Sequence, residues 1–309
     1  MGRIARFVRN DSSTIYHIMS RTALDGFPLQ DIEKDHLMAI VARLSNFYFV
    51  DLLGFCLMGN HFHLVVRMHT EEAATDEEIG KRYRKQFGDD AVIMPHQVQE
   101  YRRRLVNLGA FVKDIKQGFT RYFNKRRNRK GFFWGDRFKS VIVQEGTSLV
   151  NLLAYVDLNP VRAGIVDKPE NYRWSGLGYL VQTGNRHGLL DMNLGMHEWN
   201  EFNPNEIIRK YRQFVYETGA MDTGKGKQMK KEVVEKERKK RYRLNRVDVF
   251  RHRCRYFTDS GIIGSKEFVT EVFDGVKHLL DSKDQRRFTP VGGVEGVYSM
   301  KRLPGAVGG

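Results

Sequence analysis

One short segment, residues 59–67, constrains the fold of this chain more than any other. It reads Gly-Asn-His-Phe-His-Leu-Val-Val-Arg, and its β-branched and aromatic residues predict a β-strand. Side chains two residues apart on a strand point to the same face. We therefore expect His61 and His63 to project together from one face of a sheet, and the apolar residues between and after them to pack on the other.

The surrounding sequence predicts alternating strands and helices. Short apolar and aromatic runs occupy residues 14–19 and 47–67, and a helical pattern lies between them at residues 31–44. A more acidic, less periodic segment follows at residues 70–90, which we interpret as an insertion or a mobile connection. Residues 95–128 are again helical in pattern and strongly basic. This order indicates an α+β or α/β fold.

A further helix is predicted from Thr147 to the Asn159-Pro160 pair, because a proline disfavours helical geometry in the residue before it. Its leucines and valines fall at helical spacing and form an apolar stripe. Tyr155 and Asn159 lie one turn apart on a different, polar stripe. Tyr155 is therefore not expected to be a core residue.

Two neutral imidazoles on one face begin a divalent metal site, but they need a third ligand from elsewhere in the chain. The amide oxygen of Asn159 could supply that ligand. A site of nitrogen and oxygen donors suits Mg²⁺ or Mn²⁺ better than a thiolate-seeking metal. The alternative is that His61 and His63 are exposed or hydrogen-bonded histidines without a metal.

The net charge of the chain favours one chemical class of binding partner. Its 309 residues include 52 Lys and Arg against 37 Asp and Glu, which gives a net charge of +15. This charge favours a polyanionic partner, with nucleic acid the first candidate and an anionic membrane surface the second. No apolar run approaches the length of a membrane span or a signal peptide, so we expect a cytoplasmic protein without a membrane partner. The two cysteines, Cys56 and Cys254, fit a reducing compartment.

Three motifs in this order resemble the HUH-type single-tyrosine transposases, and particularly the REP-associated tyrosine transposases of bacterial chromosomes. The first is His61-Phe62-His63, the second is Phe-Phe-Trp-Gly-Asp-Arg-Phe-Lys-Ser at residues 132–140, and the third is Tyr-Val-Asp-Leu-Asn-Pro-Val-Arg-Ala-Gly at residues 155–164. The resemblance covers roughly residues 5–180.

The resemblance implies a ferredoxin-like antiparallel sheet with helices on one face. Beyond the resemblance, the periodicity of residues 247–280 predicts a mainly helical C-terminal extension. In that family a tyrosine attacks a phosphodiester of single-stranded, hairpin-forming DNA, leaving a 5′-phosphotyrosine link and a free 3′ hydroxyl. By motif position, Tyr155 would be the nucleophile. His61 and His63 would bind Mg²⁺ or Mn²⁺, with Asn159 as the third ligand. Such an enzyme would be associated with the nucleoid and would have no small-molecule substrate.

The basic stretch at residues 101–140 predicts a DNA interface. It contains thirteen Lys or Arg and two acidic residues, with aromatic residues at 122–123 and 132–134. Cations that contact phosphates, beside aromatic rings that stack on bases, are what single strands and hairpin loops require. The predicted DNA-binding residues are Lys116, Arg121, Lys125, Arg126, Arg127, Arg129, Arg137, Lys139 and Arg162.

We predict four segments: a catalytic domain at residues 1–180, a connecting segment at 181–246, a small helical domain at 247–291 and a flexible glycine-rich tail at 292–309. Within the second, residues 224–246 carry eleven Lys or Arg against three Glu, which indicates a basic linker or a solvated basic helix. The helical domain could bind DNA, pack or oligomerise, so a homodimer stays open.

Other activities stay open as well. A nickase of the same chemistry need not be connected with transposition, and a nucleic-acid-binding regulator on a ferredoxin-like sheet would have no catalysis at all. A zinc-dependent hydrolase is weakened because no acid–base carboxylate accompanies the histidine pair. Tyr122 is the second candidate nucleophile, although its aromatic neighbours favour a packing role.

Overall fold

The computed structural model describes residues 8–9, 11–185, 187–192, 203–222, 226–244, 260–276, 289–290 and 298–301. The chain divides into two compact units. The first comprises residues 1–180 and 185–243, and the second comprises residues 181–184 and 244–309. All the site residues predicted from the sequence belong to the first unit.

The first unit is built on a four-stranded antiparallel sheet. Its strands, in the spatial order β2-β3-β1-β4, are β1 (Thr14–Arg21), β2 (Val50–Leu57), β3 (His61–Met68) and β4 (Lys139–Val143). Helix α1 (Asp31–Phe47) connects β1 to β2, and helix α4 (Leu108–Arg126) precedes β4. This βαββαβ order confirms the predicted α+β class with a ferredoxin-like sheet.

Two inserted helices, α2 (Asp76–Phe87) and α3 (Pro95–Leu105), separate β3 from α4 along the chain. The side chain of Thr75 caps α2, because its oxygen accepts a hydrogen bond from the backbone N–H of Glu78 at 3.3 Å. Helix α2 buries only Ile79. Ile79, Tyr83 and Phe87 follow one another at helical spacing, so the segment predicted as an insertion or a mobile connection contains an inserted helix.

The face of the sheet that carries Phe62, Leu64 and Val66 is buried, as predicted. Helix α1 packs on it, since residues of α1 line the same apolar gap as Leu64. Helix α4 packs against α1, and a side chain at Gly118 of α4 would contact Ile40 of α1. The two helices of the ferredoxin-like core thus share one face.

Helix α5 (Thr147–Arg162) lies on the opposite face of the sheet. Leu153 fills the space into which a side chain at Gly54 would project, beside Val65 of β3. A Cβ at position 54 would come within 2.5 Å of Leu153, so glycine permits this close approach of helix and strand. This contact brings α5 onto the histidine face of β3.

The predicted connecting segment at 181–246 contains packed helices. Following α6 (Gly176–Thr183), α7 (Pro204–Ala220) buries Arg212, whose guanidinium pairs with Glu170 at 2.5 Å and with Glu237 at 2.8 Å. Glu237 belongs to α8 (Lys231–Lys239), which buries one side of the basic run predicted as a linker or a solvated helix. The domain boundaries stay predictions, but the described residues 204–222 and 226–243 pack within the first unit.

The described part of the second unit is a three-stranded antiparallel sheet, in the order β5-β7-β6, with one helix packed on it. Its elements are β5 (Ser260–Gly264), α9 (Lys266–Val276), β6 (Thr289–Pro290) and β7 (Tyr298–Lys301). The oxygen of Ser265 accepts a hydrogen bond from the backbone N–H of Phe268 at 3.2 Å and caps α9.

The sequence predicts a helical domain at residues 247–291, whereas the described residues of this range include strands β5 and β6. These strands are not predicted because the sequence shows no clear alternation of apolar and polar residues there. Of the predicted tail at 292–309, residues 298–301 form β7 and the others lie outside the described residues. The described helices include none with the length and apolar character that a bilayer crossing requires.

Candidate active site

The two histidines of β3 point to the same face of the sheet, as their spacing predicts. His63 is buried and His61 is half-buried at the end of the strand. The Nδ1 atom of His61 lies 2.8 Å from the side-chain oxygen of Asn60. An amide oxygen only accepts hydrogen bonds, so His61 carries its proton on Nδ1 and leaves Nε2 with a lone pair.

A third histidine, His17, completes the cluster from the neighbouring strand β1. Its Nε2 lies 2.9 Å from Nδ1 of His63, and both side chains are buried. The two rings stack with their centroids 5.2 Å apart. Sequence reasoning placed a strand at residues 14–19 but did not identify His17, because only the pairing of β1 with β3 brings it to His63.

Burial keeps the three imidazoles neutral. It lowers the pKa of His17 from 6.5 to about 4. Burial, and then the proximity of the titratable rings of His17 and His61, lowers the pKa of His63 to about 3. Burial and then the positive charge of Arg21 lower the pKa of His61. At neutral pH these rings can therefore present lone pairs, as metal ligation requires.

Tyr155 lies on α5 above this cluster. Its ring centroid is 6.0 Å from that of His63 and 6.3 Å from that of His17. The side chain is 41% exposed, while Leu153, Ala154 and Val156 around it are buried. The phenol of Tyr155 is therefore close to the histidines and accessible from solvent.

Tyr122, the second candidate nucleophile, lies elsewhere. It belongs to α4, and its ring stacks on His36 of α1 with the centroids 3.5 Å apart. Helices α1 and α4 cover the face of the sheet opposite the histidine pair. Tyr122 is thus a packing residue between two helices, and only Tyr155 of these two tyrosines is brought to the histidines.

Asn159 lies on α5 one turn after Tyr155, and its amide is engaged within the helix. Its Nδ2 donates to the backbone oxygen of Tyr155 at 2.9 Å and to that of Val156 at 3.3 Å. The predicted helix end at Asn159-Pro160 is wrong, because α5 continues through Pro160 to Arg162. Pro160 has no N–H for the oxygen of Val156, and the Asn159 amide supplies a donor in its place.

The two imidazoles of β3 can offer nitrogen donors to a metal ion, and in Asn159 the side-chain nitrogen, not the oxygen, makes the hydrogen bonds within α5. No three His, Cys, Asp or Glu side chains in the described ranges are grouped so as to hold a metal ion. The predicted ligand set of His61, His63 and the Asn159 oxygen, which would suit Mn²⁺ or Mg²⁺, stays a prediction.

Three of the predicted DNA-binding residues lie on or beside the histidine face. Lys139 of β4 is exposed and pairs in register with Met19, which also pairs with His63, so its side chain shares the face of His63. Arg137 is exposed just before β4. The guanidinium carbon of Arg162 lies 6.0 Å from the centroid of the Tyr155 ring.

The six other predicted DNA-binding residues belong to α4 or its C-terminal end, and several have partners within the protein. Arg126 and Arg127 pair with the buried carboxylate of Glu33 at 3.5 and 3.0 Å, so part of their charge serves the packing of α4 on α1. Lys116 donates to the backbone oxygen of Asp136 at 3.0 Å. The others are the half-buried Arg129, near the Phe123 ring, and the exposed Arg121 and Lys125.

The aromatic residues predicted to stack on bases are mostly core residues. Phe123, Phe133 and Trp134 are buried and pack against Phe119. Phe132 is the exposed member of the group, with 75% of its surface accessible. The stacking prediction is therefore wrong for the buried three, because their rings fill the space between α4 and the sheet.

Arg21 is a second residue that sequence reasoning missed. It is exposed at the end of β1, directly opposite His61 in the register of the sheet. Its charge is close enough to lower the pKa of His61. A cation at this position is suited to a phosphate group that approaches the histidines and Tyr155.

The sequence matches no protein-family model and shows no significant similarity to curated proteins. Among solved structures, the chain is similar to a REP-associated tyrosine transposase bound to a REP hairpin. The TM-score is 0.42 at 12% sequence identity, over 62% of this chain and 89% of the other.

Proposed function

We propose that this protein is a metal-dependent enzyme that cleaves single-stranded, hairpin-forming DNA and transfers the cut strand, with Tyr155 as the nucleophile. The observation that carries the proposal is the exposed phenol of Tyr155 on α5, 6.0 Å between ring centroids from the buried, neutral His63. The order of the three sequence motifs supports the same chemistry.

Cleavage would proceed by transesterification. The phenol oxygen of Tyr155 forms a bond to the phosphorus of a phosphodiester, and the bond from phosphorus to the 3′ oxygen breaks. The phenol proton is lost as the oxygen attacks, and the departing 3′ oxygen takes up a proton. The link between Tyr155 and the 5′ phosphate conserves the energy of the phosphodiester, so a second 3′ hydroxyl can reverse the reaction and join a new strand.

His61, His63 and the amide oxygen of Asn159 are the residues that would hold a divalent metal ion. Each histidine uses Nδ1 in a hydrogen bond, to Asn60 or to His17, and has its other ring nitrogen left for a ligand. A Mg²⁺ or Mn²⁺ ion bound there would polarise the scissile phosphate and offset the negative charge that develops on its oxygens.

The charges around Tyr155 favour a nucleic-acid strand over a small neutral substrate. Arg21, Lys139 and Arg162 reach the site from β1, β4 and α5, and Arg137 precedes β4. Phosphates flanking the scissile one would contact these side chains, while the histidines and Tyr155 act on the phosphate between them.

The experiment is capture of DNA on Tyr155. Incubation with Mn²⁺ and a pool of labelled DNA hairpins with single-stranded flanks should yield a protein–DNA adduct that survives denaturation. Tyr155→Phe should give none, and the matched control Tyr122→Phe should give the wild-type amount because Tyr122 packs on His36. An adduct that persists in Tyr155→Phe would contradict the assignment.

A wild-type protein that binds the hairpins but forms no adduct would favour a non-catalytic regulator instead. Mapping the captured DNA and adding an unlabelled acceptor strand then separates strand transfer from nicking. Joined products support a transposase-type activity, and cleavage without joining supports a nickase.

A further inference from the structure

His17 is a buried polar side chain whose hydrogen bond links β1 to His63. It is 6% exposed, and His63 is 5% exposed. In the interior an imidazole N–H or lone pair needs a partner, because an unsatisfied buried polar atom is destabilising. The 2.9 Å separation of His17 Nε2 from His63 Nδ1 satisfies one nitrogen of each ring.

This bond contains one proton, and its position decides what His63 can do. If the proton is on Nδ1 of His63, then Nε2 of His63 is a bare lone pair. If it is on Nε2 of His17, then a neutral His63 has its proton on Nε2 and cannot ligate a metal through that atom. His61 is already in the first state, because its Nδ1 lies 2.8 Å from an amide oxygen that only accepts.

We propose that His17 is a positioning residue that accepts the Nδ1–H of His63 and holds that ring in the tautomer with a bare Nε2. His61 and His63 then present the same nitrogen to one metal ion, each oriented by a hydrogen-bond acceptor behind it, Asn60 for one ring and His17 for the other. Outer partners of this kind set the tautomer and the orientation of metal-ligating histidines.

The inference rests on the proposed metal site, but its first test needs neither metal nor DNA. Long-range ¹H–¹⁵N spectra of the metal-free protein, labelled with ¹⁵N-histidine, report the tautomer of each ring. We expect His63 to carry its proton on Nδ1 in the wild type. In His17→Phe we expect a large fraction of His63 to shift to the Nε2–H form. A wild-type His63 protonated on Nε2 overturns the proposal.

The second test is Mn²⁺ binding followed by electron paramagnetic resonance. Loss of an outer partner of a ligating histidine weakens metal binding by about 10- to 100-fold, and we expect His17→Phe to do so. His17→Gln should recover part of the affinity, because its amide oxygen can also accept the Nδ1–H, and the tautomer of His63 in the wild type remains the test should His17→Phe fail to fold. The matched control is His36→Phe, which keeps a ring stacked on Tyr122 on the opposite face.

The role of His17 and the proposed function can fail separately. Unchanged Mn²⁺ affinity in folded His17→Phe relative to His36→Phe overturns the role of His17, even where the wild type forms its DNA adduct. A wild type with the expected tautomer and the expected loss of Mn²⁺ binding in the His17 variant, but without a DNA adduct, supports the role of His17 and contradicts the proposed function.

Discussion

The side chain of Asn159 makes a hydrogen bond within α5 that the backbone of its neighbour Pro160 cannot make. Pro160 cannot donate to the oxygen of Val156, and the Nδ2 of Asn159 does so at 3.3 Å. Asn151 makes a similar bond to the oxygen of Thr147 at 2.8 Å, but no proline deprives that oxygen of its helical donor. A metal-ligand role for Asn159 would therefore combine coordination with support of the helix that carries Tyr155.

We expect Asn159→Ala to lower the free energy of unfolding by about 1 kcal/mol, because the oxygen of Val156 loses its donor. Asn151→Ala is the control, and it should change the free energy of unfolding by only about a few tenths of a kcal/mol. Urea unfolding in the absence of metal measures both. Equal losses in the two variants would show that Pro160 does not make the Asn159 bond necessary.

Arg21 allows a test of which face of the sheet the proposed DNA substrate would contact. Arg21→Gln removes a cation opposite His61, and we expect weaker hairpin binding and a salt dependence of log Kd that is shallower by about 0.7, the value for one phosphate contact on a single strand. Lys125→Gln removes one charge from exposed α4 and is the control. A larger loss of hairpin affinity in Lys125→Gln than in Arg21→Gln would indicate that DNA contacts α4 instead of the histidine face.

Helix α5 is joined to its neighbours through the buried carboxyl group of Asp157. The hydroxyl of Tyr211 donates to it at 2.6 Å, and the backbone N–H of Leu177 donates at 2.9 Å. Burial raises the pKa of Asp157 from 3.8 to about 7 and outweighs these two hydrogen bonds, which lower it. The contact that fixes the buried side of the Tyr155 helix is thus sensitive to pH.

The sign of this dependence follows from proton linkage. Asp157 binds its proton more tightly in the folded chain, so the stability it contributes is complete below about pH 4 and is lost as the pH rises to about 7. The full difference is a few kcal/mol, ~4 at most. We expect Asp157→Asn to lose less stability than the wild type between pH 5 and 8, as measured by urea unfolding. Parallel curves for the two proteins would contradict a buried, protonated Asp157.

Local patterns in the sequence predict some of these elements and not others. The strand of His61 and His63 follows from alternation within nine residues, and the exposure of Tyr155 follows from helical spacing. The pairing of His17 with His63 requires the register of two strands 46 positions apart in the chain. Likewise, Arg126 and Arg127 form a basic run in the sequence, and only the packing of α4 on α1 brings them to Glu33.

Some basic residues of the first unit make contacts within the protein, and others lie on the histidine face of the sheet. Within the basic run at residues 101–140, Lys116, Arg126 and Arg127 make contacts that hold α4 in place. Lys139 of the same run instead shares the face of His63, where Arg21 of β1 lies opposite His61, and Arg162 of α5 lies beside Tyr155. A run of basic residues in a sequence therefore does not locate an interface by itself, because folding decides which charges remain available. In this chain, the cations on the histidine face and beside Tyr155 come singly from separate elements, namely β1, β4 and α5.

The extent of the first unit is determined in part by the buried ion pairs of α7 and α8. Arg212, with 2% of its surface exposed, bridges Glu170 and Glu237, and the hydroxyl of Tyr216 donates to Glu170 at 2.9 Å. A chain ending at residue 180 would leave Glu170 and Asp157 without Arg212 and Tyr211. Removal of one partner from a buried pair destabilises a protein by roughly 3–5 kcal/mol.

We therefore expect a fragment of residues 1–243 to unfold cooperatively with the stability of the first unit, and a fragment of residues 1–180 to lose several kcal/mol or to remain unfolded. Thermal unfolding followed by circular dichroism compares the two, and Arg212→Met in the longer fragment isolates the ion pairs from the loss of helices. Equal stability of the two fragments would place the boundary of the unit at residue 180. If the longer fragment alone folds and forms the Tyr155 adduct, α7 and α8 belong to the enzyme because they support α5 from behind.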